Sequence, residues 1–101
     1  MAAYYLRLGF VVAAQRWRGQ AGEIDLIMRD GPLLIFVEVK RAQSFAIAAE
    51  RISSQQMSRI MAAASEFVAQ EPGGQDSEMR FDAALVDGTG QIEIRETVVG
   101  W

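Results

Sequence analysis

GEIDLIMRDGPLLIFVEVK, residues Gly22 to Lys40, is the stretch whose reading decides the fold. Two apolar runs, Ile24–Met28 and Leu33–Val39, flank the turn signal Asp30-Gly31-Pro32, a pattern that predicts a β-hairpin. Glu23 and Asp25 fall near the start of the first strand, Glu38 and Lys40 near the end of the second. Antiparallel pairing lays those two ends side by side. Alternation along each strand gives Glu23 the face of Asp25, and Glu38 the face of Lys40. Three carboxylates and one ammonium are therefore expected to converge at one end of an apolar hairpin.

Outward from the hairpin, the run Leu33–Val37 is hydrophobic enough to predict a central strand buried on both faces. Upstream, Phe10–Trp17 reads as a strand, with Val11, Val12 and Ala13 predicting burial on both faces, and Arg18–Gly22 as a glycine-rich connector. Residues 2–8 read as the end of a helix stopped by Gly9. Its shortness predicts either a stub beginning at Met1 or the loss of an upstream turn or two. Downstream, Arg41–Glu50 reads as a loop. A long helix starts near Ser53, where Ser53 and Gln56 have capping-box spacing, and carries the apolar stripe Ile60, Met61, Ala64, Phe67 and Val68. Glu71-Pro72-Gly73-Gly74 ends it. Met79–Asp87 and Gln91–Val99 complete the pattern as two strands joined by a turn at Asp87–Gly90, the last with one wet face. The order α-β-β-β-α-β-β predicts an α/β fold, a mixed sheet of about five strands flanked by helices, in one domain over residues 1–101.

Composition narrows the chemistry. The chain has no cysteine and no histidine, which excludes disulfides, thiolate zinc sites and Ser-His or Cys-His catalysis. Any metal site must use oxygen ligands, which favours magnesium, manganese or calcium. No apolar run approaches the roughly 18 residues that span a membrane, and residues 1–7 lack the pattern of a signal peptide, so a cytoplasmic protein without membrane contact is expected. Net charge is −3, but residues 1–41 carry six basic and four acidic groups against two and eight in residues 66–101. The basic excess lies near the hairpin.

Phosphodiester cleavage needs a nucleophilic water, a leaving 3′ oxygen and neutralisation of the phosphate between them, which carboxylate-bound divalent ions can supply. Asp25 and Glu38 on neighbouring strands are placed to share Mg2+ or Mn2+, with the Val39 backbone carbonyl as a further ligand. Lys40, the only lysine in the chain, would stabilise the phosphate charge or orient the water. An electrostatic role is preferred over that of a base, since nearby carboxylates favour its charged form.

Asp25, twelve intervening residues, then Glu38-Val39-Lys40 after an apolar strand resembles the PD-(D/E)xK motif of restriction-endonuclease-like nucleases. Together with Gly22–Ile27 and Arg80-Phe81-Asp82, it resembles more closely the YraN-like family of uncharacterised bacterial proteins, over nearly the whole chain. The resemblance implies a restriction-endonuclease-like core similar to Holliday-junction resolvases and tRNA-splicing endonucleases. It implies active-site positions at Asp25, Glu38 and Lys40. Two departures accompany it: the acidic residue that relatives carry in an upstream helix is missing, and Gln56 stands where they typically carry lysine.

Each assignment has a plainer counterpart. Asp25, Glu38 and Lys40 could form a structural ion cluster, and Glu23 is a secondary metal ligand, an acceptor behind the ligands or an exposed carboxylate. Arg16, Trp17 and Arg18 suit phosphate and base contacts, or else a core tryptophan between solvated arginines. Arg41 is expected to point to the face opposite Lys40 if the strand continues, or to reach phosphate from a loop, and Gln56 either faces the site or merely caps its helix. Asp82 is expected to make a structural hydrogen bond or ion pair. The reading is a metal-dependent endonuclease acting on DNA rather than RNA, with a homodimer and branched or damaged structures as its expected form and substrate. Its alternative is a catalytically inert nucleic-acid-binding or protein-interaction module that keeps the nuclease fold.

Overall fold

In the computed structural model, residues 1–97 are described. The element order is α1 (Ala2–Arg7), β1 (Val11–Arg18), β2 (Glu23–Asp30), β3 (Leu33–Arg41), α2 (Phe45–Glu50), α3 (Ser54–Val68), a 3₁₀ turn (Gly74–Asp76), β4 (Glu78–Val86) and β5 (Ile92–Thr97). The strands form one sheet in sequence order. Only β3 and β4 run parallel; the other neighbouring pairs are antiparallel. The parallel pair requires a crossover, which α2 and α3 supply. The fold is therefore α/β with a five-stranded mixed sheet, in the strand and helix order the sequence predicts apart from α2.

The hairpin forms as expected. Asp30 pairs with Leu33 across Gly31-Pro32. Gly31 has φ of 58°, and proline holds φ negative at the next position, the sign pattern of a type II′ turn. Alternation along β2 and β3 then divides the core. Ile27, Leu34 and Phe36 meet Ile60, Ala63, Ala64, Phe67 and Val68 of α3 on one face. Leu26, Met28, Ile35 and Val37 meet Tyr5 of α1 on the other. Buried on both faces from Leu34 to Val37, β3 is the central strand.

Three expectations change. β1 is not buried on both faces: Val11 is 54% and Val12 38% exposed. It is an edge strand with a bulge between Val12 and Ala14, so neither its outer backbone nor its early side chains are covered. Arg41–Glu50 is not all loop. The Ser44 side chain accepts from Ile47 N at 3.2 Å, and the alanine-rich turn of α2 buries Ala48. The third concerns β2, where Ile24 packs with the α3 layer while Leu26, two residues on, packs with the α1 layer. Simple alternation therefore breaks at Asp25. The partner strand breaks at the matching position, since Arg16 has φ of 49°, between the pairs Gln15↔Leu26 and Trp17↔Ile24. The predicted last strand is observed as Ile92–Thr97, and its remaining positions, Val98 and Val99, lie outside the described residues.

Candidate active site at the end of the central hairpin

The β2–β3 ladder stops at Leu26↔Val37, one residue before Asp25 and Glu38 would pair. The strands part there, and Val39 N donates instead to Asp25 Oδ2 at 2.8 Å. A side-chain oxygen thus replaces the missing backbone acceptor and fixes the carboxylate. Glu38 and Lys40 continue the face of Leu34 and Phe36, which brings them beneath the start of α3. Lys40 Nζ lies 4.0 Å from Glu38 Oε1. With its amide oriented to satisfy both ends, Gln56 accepts from Lys40 Nζ at 2.6 Å and donates to the Arg51 carbonyl at 3.2 Å. Ser53 Oγ accepts from Gln56 N at 3.0 Å, so only half of the predicted capping box forms. The glutamine side chain serves the site rather than the cap.

Asp25 lies close enough to Glu38 to disturb its carboxyl. Burial first, and then hydrogen bonding and like-charge repulsion from the adjoining Asp25, raise the Glu38 carboxyl to about 8. Lys40 opposes that rise and Glu23 adds to it. Two open clefts meet this pair. The larger, about 650 Å³, is lined by Asp25, Val39, Lys40, Arg16, Arg41 and Arg51. The smaller, about 210 Å³, is lined by Glu23, Glu38, Gly22, Gln56, Arg59 and Ile60.

Asp25, Glu38 and Lys40 are thus brought together at the carboxyl end of the central strand. Glu23 lines the smaller cleft but is engaged by Arg16 at 3.4 Å and Arg18 at 3.0 Å. Those two arginines are otherwise solvated, and the Trp17 ring lies edge-on to Phe67 at 5.4 Å, packed against the core. Arg41 belongs to β3, yet it sits at the strand end and lines the larger cleft beside Lys40. The sequence reading passed over Arg51 and Arg59. Arg59 could have been found, because it follows Gln56 by three positions and so shares its helix face. No local signal marks Arg51, which reaches the cleft only because α2 turns the chain back.

Outside the site, Asp82 is the one charged residue buried among those described. It accepts from Tyr5 OH at 2.8 Å and from Arg80 Nε and Nη2, both at 2.9 Å. Burial together with the neighbouring Asp82 pushes the Tyr5 phenol far above its ordinary range. Asp82 is thereby structural, as expected, and ties α1 to β4.

A mixed sheet covered by helices on both faces, with paired carboxylates and a lysine at the end of its central strand, defines an α/β protein whose polar chemistry is held on rigid strand ends. The chain belongs to the uncharacterised protein family UPF0102, also known as the YraN family, whose model matches residues 1–86. A UPF0102 protein of Ruegeria pomeroyi is 55% identical over 96 residues, spanning 95% of this chain and 78% of the relative. One from Cereibacter sphaeroides is 59% identical over 96 residues, with 95% and 82% covered. Among the described residues, no helix is long and apolar enough to cross a membrane.

Proposed function

We propose that this protein is a metal-dependent endonuclease of the restriction-endonuclease-like class, cleaving phosphodiester bonds of DNA in the cytoplasm. The observation that carries the reading is the convergence of Asp25, Glu38 and Lys40 where β2 and β3 part. The donor set fits a hard divalent cation: two carboxylates share one position, and the burial and like-charge repulsion that favour protonated Glu38 are what such a cation would offset. Asp25 and Glu38 would hold Mg2+ or Mn2+, with the Val39 carbonyl completing the protein ligands. A bound ion neutralises the reacting phosphate and makes water a stronger acid.

The chain's own residues do the rest. Val39 N keeps one Asp25 oxygen fixed, so the other has a defined direction. Gln56 holds Lys40 beside Glu38, where its ammonium can donate to a phosphate oxygen as charge builds there. Water oxygen bonds to phosphorus, the bond to the 3′ oxygen breaks, and that oxygen leaves with a proton. Products are a 5′-phosphate and a 3′-hydroxyl.

One observation favours the rival, an inert module that keeps the fold: no group of three or more acidic side chains is gathered for a metal among the described residues. Calorimetric titration of Mn2+ and Mg2+ into the protein separates the two. Saturable binding lost in Asp25→Asn supports the nuclease, and absence of binding in the folded parent supports the inert module. Cleavage in Mn2+ should fall by about 10²-fold or more in Glu38→Ala and Lys40→Ala. Undiminished cleavage by both variants would assign the activity to a contaminant.

A further inference from the structure

We propose that the two clefts flanking Asp25 and Glu38 form a track for one DNA strand. Arg41 and Arg51 hold the phosphate on one side of the reacting one, and Arg59 holds that on the other. The inference rests on reading Asp25, Glu38 and Lys40 as the phosphate-cleaving group, and it names the contacts that seat the substrate there.

The argument begins with charge. The protein is acidic, with net charge −3, yet the larger cleft sets Arg16, Lys40, Arg41 and Arg51 around the single carboxylate of Asp25. Arg41 and Arg59 are exposed and make no side-chain ion pair or hydrogen bond among the described residues. Arg51 spends one N–H on the Arg41 carbonyl at 3.0 Å, which steadies its guanidinium and leaves its other donors free. Arginines on a concave wall whose guanidiniums are not tied up in ion pairs are donors for an incoming anion.

Geometry then selects the kind of anion. The larger cleft reaches the carboxylate pair from the Asp25 side with Arg16, Arg41 and Arg51, and the smaller from the Glu38 side with Arg59. A free phosphate or mononucleotide would fill only one of them. A strand crossing the pair places successive phosphates in both, with the middle one at Lys40. The clefts differ in volume, about 650 against 210 Å³, so the Arg51 side has room for a nucleoside where the Arg59 side admits little beyond sugar and phosphate.

Fluorescence anisotropy with a labelled single-stranded DNA dodecamer, in EDTA so that nothing is cut, tests the track at a series of salt concentrations. Arg51→Gln and Arg59→Gln should each weaken binding, and each should lower the slope of log K against log salt by about 0.7, the loss of one phosphate contact on a single strand. The double variant should lose about 1.4. Arg95→Gln, on the last strand and outside both clefts, should leave the slope unchanged. Slopes equal to the parent in both cleft variants, or an equal loss in Arg95→Gln, would overturn the track. Because this readout involves neither metal nor cleavage, it can fail while the nuclease reading stands, and the reverse also holds.

Discussion

Glu38 carries an energetic signature that falls within the accessible pH range. Its carboxyl ionises near pH 4.5 in the unfolded chain and near 8 in the folded protein. Across that window the folded state binds the extra proton, so stability of the metal-free protein falls as pH rises from about 4.5 to 8 and levels off above. Glu38→Gln removes the ionisation, and should therefore raise the melting temperature at pH 8 more than at pH 5. Metal must displace the same proton. Mn2+ affinity is accordingly expected to climb with pH until about 8 and then flatten, with proton release visible as a buffer-dependent calorimetric heat. A flat affinity from pH 6 to 8.5 would show that Glu38 is not a ligand.

Among the elements, α3 does more than cover the sheet. Ser53 caps its start, and Ser53→Ala should cost about 1 kcal/mol in chemical denaturation. Between three and four turns further on, Glu66 Oε1 and Oε2 accept from Gln20 N at 2.8 Å and Ala21 N at 2.9 Å, clamping the β1–β2 connector to the helix. Gly19 is squeezed beneath that clamp. A Cβ there would sit 2.8 Å from both Glu66 Oε2 and the Trp17 ring. Gly19→Ala is therefore expected to destabilise the protein and to change Trp17 fluorescence, while Gly90→Ala, whose added carbon meets nothing within 4 Å, should leave the fluorescence alone. The helix thus holds the connector that leads into Glu23 and Asp25 as well as the glutamine that holds Lys40.

On the scale of the whole molecule, the sheet is closed from its second face through the Tyr5–Asp82–Arg80 group, which extends to Glu96 of β5 at 2.8 Å and to the Phe10 ring, 5.9 Å from the guanidinium. Asp82 is 2% exposed, so removing it leaves the buried phenol without its acceptor and Arg80 with Glu96 as its remaining partner. Asp82→Ala should cost about 3 kcal/mol. Tyr5→Phe keeps the ring and the Arg80–Asp82 pair, and should cost about 1.5 kcal/mol. Equal losses in urea titrations would mean that the hydroxyl, rather than the ion pair, dominates this junction.

Residues near one another in sequence were legible from sequence because short-range rules govern them. Gly31-Pro32 sets the turn, the turn sets the register, and the register brings Asp25 beside Glu38 and Lys40. The same holds for the Ser53 cap and the apolar stripe of α3. Strand order and the packing of distant segments were not legible in this way. Val11 and Val12 read as buried because valine favours strands in either position; only the sheet's order leaves them at an edge. Gln56 read equally as a cap or as facing the site, and only the crossover, which brings Lys40 within its reach, decides between them. By itself the sequence determined the hairpin, the family and the cluster at the strand ends, all fixed by local geometry. The tertiary structure decided that Asp82 is a buried tie, that Trp17 belongs to the core and that Arg51 and Arg59 flank the carboxylates, since each depends on chain segments that meet only when the sheet is complete.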